Sequence, residues 1–147
     1  MAGTNSILLI ISLTILITLI CIAAIDLNTK TIHRKLLYIL LLGSAAAIYL
    51  DNDKSVADSM AAMAVMFLLL SLLYIVSRKS IGWGDVELCT CTAAFLGMER
   101  ALAMLILSIL ICGMFAAALM LIRKSGRHNE IPFAPFVAAA TAVVVLL

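Results

Sequence analysis

The sequence predicts an all-α membrane protein, a bundle of six transmembrane helices with both termini outside, and three observations carry that expectation. Hydrophobic residues make up 65% of the 147 residues and charged residues only 12%, which excludes an ordinary water-soluble globule. The apolar residues gather into runs near the ~20 residues that one bilayer crossing needs. The charges lie between those runs and collect on one side of them.

The first run, Ile7 to Ile25, is closed by Asp26. It has no basic segment before it and no small-x-small site after it, so it reads as a retained span and not as a cleavable signal. Leu36 to Leu50 and Ser59 to Val76 are the second and third spans, separated by an acidic connection with Asp51, Asp53 and Asp58 against Lys54. Ala101 to Ile122 and Pro132 to Leu147 are the fifth and last. Between them and the third lies Ser80 to Met98, only moderately apolar, with Asp85, Glu87, two cysteines and two threonines.

Charge decides that segment. Counting it as a crossing puts Lys30, Arg34, Lys35, Arg78, Lys79, Arg123, Lys124 and Arg127 on one side, eight of the ten basic residues, with Lys54 and Arg100 opposite. Basic loops are retained in the cytoplasm, so this side is inside. A re-entrant hairpin would move the last three to the outer face and break the pattern. Small residues at Gly43 to Ala47 and Ala116 to Ala118 are expected to let helices approach closely. Tyr38, Tyr49, Tyr74 and Trp83 lie near span ends, where interfacial anchoring suits them. Residues 1–147 read as one domain, because no linker, charge run or internal repeat divides them.

The net charge of +2, with no basic patch interleaved with aromatics, gives no sign of a nucleic-acid partner. Cys21, Cys89, Cys91 and Cys112 fall in apolar segments with no zinc-type spacing, so packing is their expected role and no metal is implied.

The acids carry the chemistry. An ionisable side chain is costly in a membrane segment, and the six-span threading brings Asp26 and Asp85 to the same, cytoplasmic boundary. Two carboxylates sharing one water divide the labour: the ionised member removes a proton from the water as it attacks a carbonyl, and the protonated member donates to the oxyanion and then to the departing amine. Asp85 at a helix start, facing the positive end of the dipole, is the expected base. Gly82 and Gly84 beside it would permit unusual backbone dihedrals and close approach of an extended strand. Taken singly, each acid also has a structural reading, Asp85 as a helix N-cap and Asp26 as a loop residue after a helix.

Ile81-Gly82-Trp83-Gly84-Asp85-Val86-Glu87-Leu88 resembles the second aspartate motif, Gly-x-Gly-Asp, of the type IV prepilin peptidases. Asp26 followed six residues later by Ile32 resembles the first, and Ile131-Pro132-Phe133-Ala134-Pro135-Phe136 the proline-containing start of the last helix. The resemblance implies an aspartic endopeptidase of a bacterial or archaeal plasma membrane. It would remove the short basic leader of prepilins or pseudopilins at the cytoplasmic face, without a cofactor, with the bilayer as its other partner. It implies Asp26 and Asp85 as catalytic residues, and Gly82, Gly84, Glu87, Pro132, Phe133 and Pro135 as residues that shape the site.

Several features depart from the family. Larger members carry Cys-x-x-Cys pairs and an N-methyltransferase activity in a segment with no counterpart before Ile7, so the short, peptidase-only form is expected. His33 stands where proline is common, and reads as an interfacial loop residue more readily than as a proton shuttle; His128 reads the same way. Glu87 stands where lysine is usual, and an acid near the pair would help to attract a basic leader. Pro132 is expected in the first turn of the last helix. These replacements motivate one alternative, an inactive relative that holds a prepilin without cutting it. A small proton- or cation-coupled transporter using the same acids is the other, although no repeat supports it. The sequence assigns no oligomeric state.

Overall fold

The computed structural model describes residues 2–29, 32–51, 55–77, 81–122 and 132–146, with the side chains of 2–5 and 122 excepted. They form six helices: α1 (Ala2–Thr29), α2 (Arg34–Leu50), α3 (Val56–Val76), α4 (Trp83–Leu96), α5 (Met98–Ile122) and α6 (Ala134–Leu146). Lys30, Lys54, Arg78, Lys79, Arg123, Lys124, Arg127, His128 and Ile131 lie outside the described residues. The loop-charge pattern and the first residue of the proline-containing segment lie there with them.

Among the described residues three helices are long and apolar enough to cross a membrane: Ser6–Thr29 of α1, Val56–Val76, and Met98–Leu121 of α5. The chain is a multi-pass membrane protein. Their outward faces are apolar, as at Leu68, Ile106 and Met114, which suits lipid, where burying such side chains brings no gain. Helix α6 is apolar but shorter, and α2 and α4 have 17 and 14 residues.

Helix α4 is the centre of the bundle, packed against α2, α3, α5 and α6, while α1 lies against α2 and α6. Nine residues of α4 are buried, more than in any other helix among the described residues. In place of a hydrophobic drive, close backbone approach and hydroxyl bonds hold it. Ser44 on α2 is fully buried and donates to the carbonyls of Leu40 at 2.8 Å and Cys91 of α4 at 3.4 Å. Gly43 admits Ile15 of α1, whose Cγ1 would lie 3.2 Å from an added Cβ. The Gly43 to Ala47 expectation therefore holds. Ala117 and Ala118, by contrast, are exposed and Ala116 only half-buried, so among the described residues that stretch is not a site of close helix packing.

Helix ends alternate along the bundle. The ends of α1 and α3 meet the starts of α2, α4 and α6, through Asp26 to Ala134, Ile32 to Gly84 and Tyr74 to Trp83. At the opposite end Gly97 alone joins α4 to α5. Its φ of 78° and ψ of 175° belong to a region that only glycine enters readily. Residues 83–96 are one continuous helix and not a hairpin.

Candidate active site

Asp26 is in the last turn of α1, which continues to Thr29 because Asn28 and Thr29 donate back to the carbonyls of Ala24 and Ile25. The acid therefore does not end the helix, as its place after the apolar run suggests, but sits inside it. Its side chain is buried, 5% exposed, and Oδ2 accepts the backbone N–H of Ala134 at 3.2 Å. That N–H is the first of α6, one of the donors every helix start leaves unpaired. Phe136 and Val137 donate to the Phe133 carbonyl at 3.0 and 3.3 Å, and Pro135 has no N–H to place. Here the expectation for the prolines is corrected: Pro132 precedes the helix by two residues, and Pro135 occupies its first turn. Phe133 packs half-buried against the core, and Phe136 meets Phe115 of α5 at 5.5 Å between ring centroids.

Asp85 is the third residue of α4. Gly82 is the N-cap, so the reading of Asp85 as the cap itself is not what the fold shows. The Gly82 carbonyl accepts the Asp85 N–H at 3.1 Å, and the Asp85 carboxylate in turn receives a backbone hydrogen bond from Gly82. This reciprocal pair resembles a capping box. An added Cβ at Gly82 would lie 3.0 Å from Asp85 Oδ2. At Gly84 it would lie 3.1 Å from Cβ of Ile32, in the connection from α1 to α2. The two glycines thus serve close approach. The unusual dihedrals expected of them are not used, since Gly82 has φ −67° and ψ 134° and Gly84 is helical.

These contacts set the last turn of α1 and the first turn of α4 at the same end of the bundle, Asp26 against the start of α6 and Gly84 against Ile32, with Asp85 within the electrostatic range of Asp26. Among the described residues no group of three His, Cys, Asp or Glu side chains gathers in a way that could hold a metal ion. All four cysteines are free. His33 is exposed at the N-cap of α2, and its side chain caps nothing.

Glu87 is placed differently from the expectation that set it near the acids. Its Oε1 accepts Trp83 Nε1–H at 2.9 Å and lies 3.8 Å from Arg34 Nη2, on the side of α4 that faces α2 and the end of α3. Positions 85 and 87 are about 200° apart around a helix, which turns one away from the other. Trp83 itself packs edge-on against Phe67 and Tyr74 of α3, at 6.1 and 5.2 Å. The interfacial role expected for Trp83 did not include these contacts, although the four-residue step from Trp83 to Glu87 signals such a pair.

The sequence profile of the type IV leader peptidase family matches residues 13–117, a stretch that includes both aspartates and all of α4. The chain belongs to this family. It is 27% identical over 128 residues to the prepilin leader peptidase/N-methyltransferase of Bacillus subtilis (strain 168), covering 87% of this chain and 52% of that protein. It is also 27% identical over 133 residues to the proteins of the same name from Aeromonas salmonicida (strain A449) and Aeromonas hydrophila, covering 87% of this chain and 46% of each. The chain thus spans about half the length of the curated relatives it matches. No solved structure gives a significant match.

Proposed function

We propose that this family member is an aspartic endopeptidase that removes the basic leader of prepilin-like or pseudopilin-like substrates at the cytoplasmic face of the plasma membrane. The observation that supports the reading is that Asp26 and Asp85, 59 residues apart in sequence, lie at one end of the bundle within range of each other's charge. Each acid also bonds a helix start, but each costs free energy in an apolar setting, and a neutral cap such as Ser or Asn would serve that bond without the charge.

In this reading the pair activates one water. The ionised member takes the water's proton as its oxygen attacks the scissile carbonyl; the protonated member donates toward the oxyanion and then to the leaving amine. The bond from Ala134 fixes the orientation of the Asp26 carboxyl, and the bond from Gly82 fixes that of Asp85. Preset orientation is worth much of the rate, since reacting groups held in place need not be ordered during the reaction. All six helices cross the bilayer, with both termini outside. At ~1.5 Å per residue α4 covers about 21 Å of a hydrocarbon layer about 30 Å thick, which fits an acid recessed below the headgroups. Pro132, Phe133 and Pro135 stiffen the segment beside Asp26 and flank the approach of the substrate strand.

Co-expression with a tagged prepilin, comparing the wild-type chain with Asp26→Asn and Asp85→Asn, tests this. Leader loss that requires both acids is the expected result. Intact substrate that co-purifies with the wild-type chain would make it a binding protein, and neither cleavage nor binding would reopen the transporter reading. Accessibility labelling that put positions 26 and 85 on opposite leaflets would end the mechanism.

A further inference from the structure

Trp83, Asp85 and Glu87 share the first two turns of α4. Residues 83 and 87 are one above the other on a single face, while 85 lies about 200° around the helix from each. Whatever holds the 83/87 face therefore sets where Asp85 points. That face is held from two sides. The Trp83 ring is packed against Phe67 and Tyr74 of α3, and its N–H reaches Glu87 at 2.9 Å, whose carboxylate in turn faces Arg34 at the start of α2.

We propose that Trp83 and Glu87 are positioning residues, a brace between α2 and α3 that fixes the rotation of α4 so that the Asp85 carboxylate is presented to Asp26. The inference rests on the two-aspartate reading. The first turn of α4 draws on such a device because residues 83–85 are exposed or half-buried, while the fully buried residues that lock the rest of the helix begin at Val86. A side chain tip ~6 Å from the axis moves roughly 2 Å when the helix turns by about 20°. A displacement of even ~1 Å in a reacting group can cost on the order of 100-fold in rate. Glu87 is thus tied to the geometry of the pair from the far side of the helix, and Arg34 gives it an opposite charge to face.

Two arms test the brace. In the cleavage assay, Trp83→Phe keeps a ring but loses the N–H, and Glu87→Ala loses the acceptor, whereas Glu87→Gln keeps an oxygen in place. The first two should lower kcat by about 10- to 100-fold with KM little changed, and combining them should cost no more than either alone. Glu87→Gln should recover most of the rate. Unfolding midpoints in detergent should stay within a few degrees throughout. Wild-type rates in Trp83→Phe and Glu87→Ala, losses that multiply, or a rate that merely follows the unfolding midpoint would overturn the proposal.

The second arm does not depend on cleavage. In a cysteine-free background, Ile32→Cys with Gly84→Cys should form a disulfide, because the two Cβ positions are 3.1 Å apart and need to part by only a few tenths of an ångström to reach the ~3.5–4.5 Å that a disulfide spans. Trp83→Phe or Glu87→Ala should slow that oxidation severalfold as the first turn of α4 loses its fixed rotation. Unchanged oxidation would sink the brace even if the chain is a peptidase. Slowed oxidation in a chain that cuts nothing would uphold the brace while removing the proposed function.

Discussion

At each end of the bundle an aspartate reaches across to the first backbone N–H of a neighbouring helix. Asp58, third residue of α3, accepts from Met98 of α5 at 3.1 Å; Asp26, in the last turn of α1, accepts from Ala134 of α6 at 3.2 Å. Both lie beside a close glycine contact, Gly97 against Asp58 and Gly84 against Ile32. Yet Asp58 is exposed and Asp26 is buried, and Asp26 lies within reach of the charge of Asp85. Capping accounts fully for Asp58, since an exposed acid bonded to a helix start is favourable on its own. It does not account for two acids gathered where water is scarce. The same hydrogen bond thus closes a corner at one end and, in the proposed mechanism, orients a reactive group at the other.

The largest test of that contrast is chemical. Asp26→Asn and Asp85→Asn should each reduce leader cleavage by on the order of 1,000-fold or more, whereas Asp58→Asn should stay within about threefold of wild type. Equal losses at 58 would erase the distinction. Next comes Gly84→Val, whose side chain must displace Ile32; cleavage should fall more than about 10-fold, and Ile32→Ala in the same chain should restore part of it. Single-turnover rates in detergent would read both.

Stability sharpens the comparison further. Gly97→Ala places a Cβ 2.5 Å from Asp58 Oδ2 at a φ of 78°, and should cost about 1–3 kcal/mol in unfolding experiments while leaving the kcat of the folded protein intact. Asp26→Ala, which leaves the Ala134 N–H unpaired, should cost about 1–2 kcal/mol. Asp26→Asn keeps an acceptor there and should cost less than half as much, although both variants should lose cleavage. A cleavage loss in Asp26→Asn that tracked a large fall in stability would return Asp26 to the same class as Asp58.

Much of the fold is visible in the residues. The five apolar runs and the weaker sixth segment correspond to α1 to α6, because Asp, Lys, Arg, Gly and Pro interrupt them where helices turn. The ends drift by a few residues: α1 runs on past Asp26 and α6 begins after Pro132, since hydroxyl, amide and carboxylate bonds to the backbone, and not hydropathy, set the final turn. Gly82-Trp83-Gly84-Asp85 and Asp26 stand out as acids in apolar surroundings. Glu87 is where that reasoning misleads, because two residues of sequence separation put it on the other side of α4.

The sequence by itself determined that six helices form, that they suit lipid, and that two carboxylates punctuate them at matching ends. Only the tertiary structure decided which way each helix turns. In a soluble protein an apolar stripe marks the buried face, but helices such as α1 and α3 are apolar all round, since the lipid outside and the core inside ask for the same side chains. Rotation is then set by contacts distant in sequence: Ala134 on Asp26, Ile32 in the space left by Gly84, and the Trp83 ring against α3.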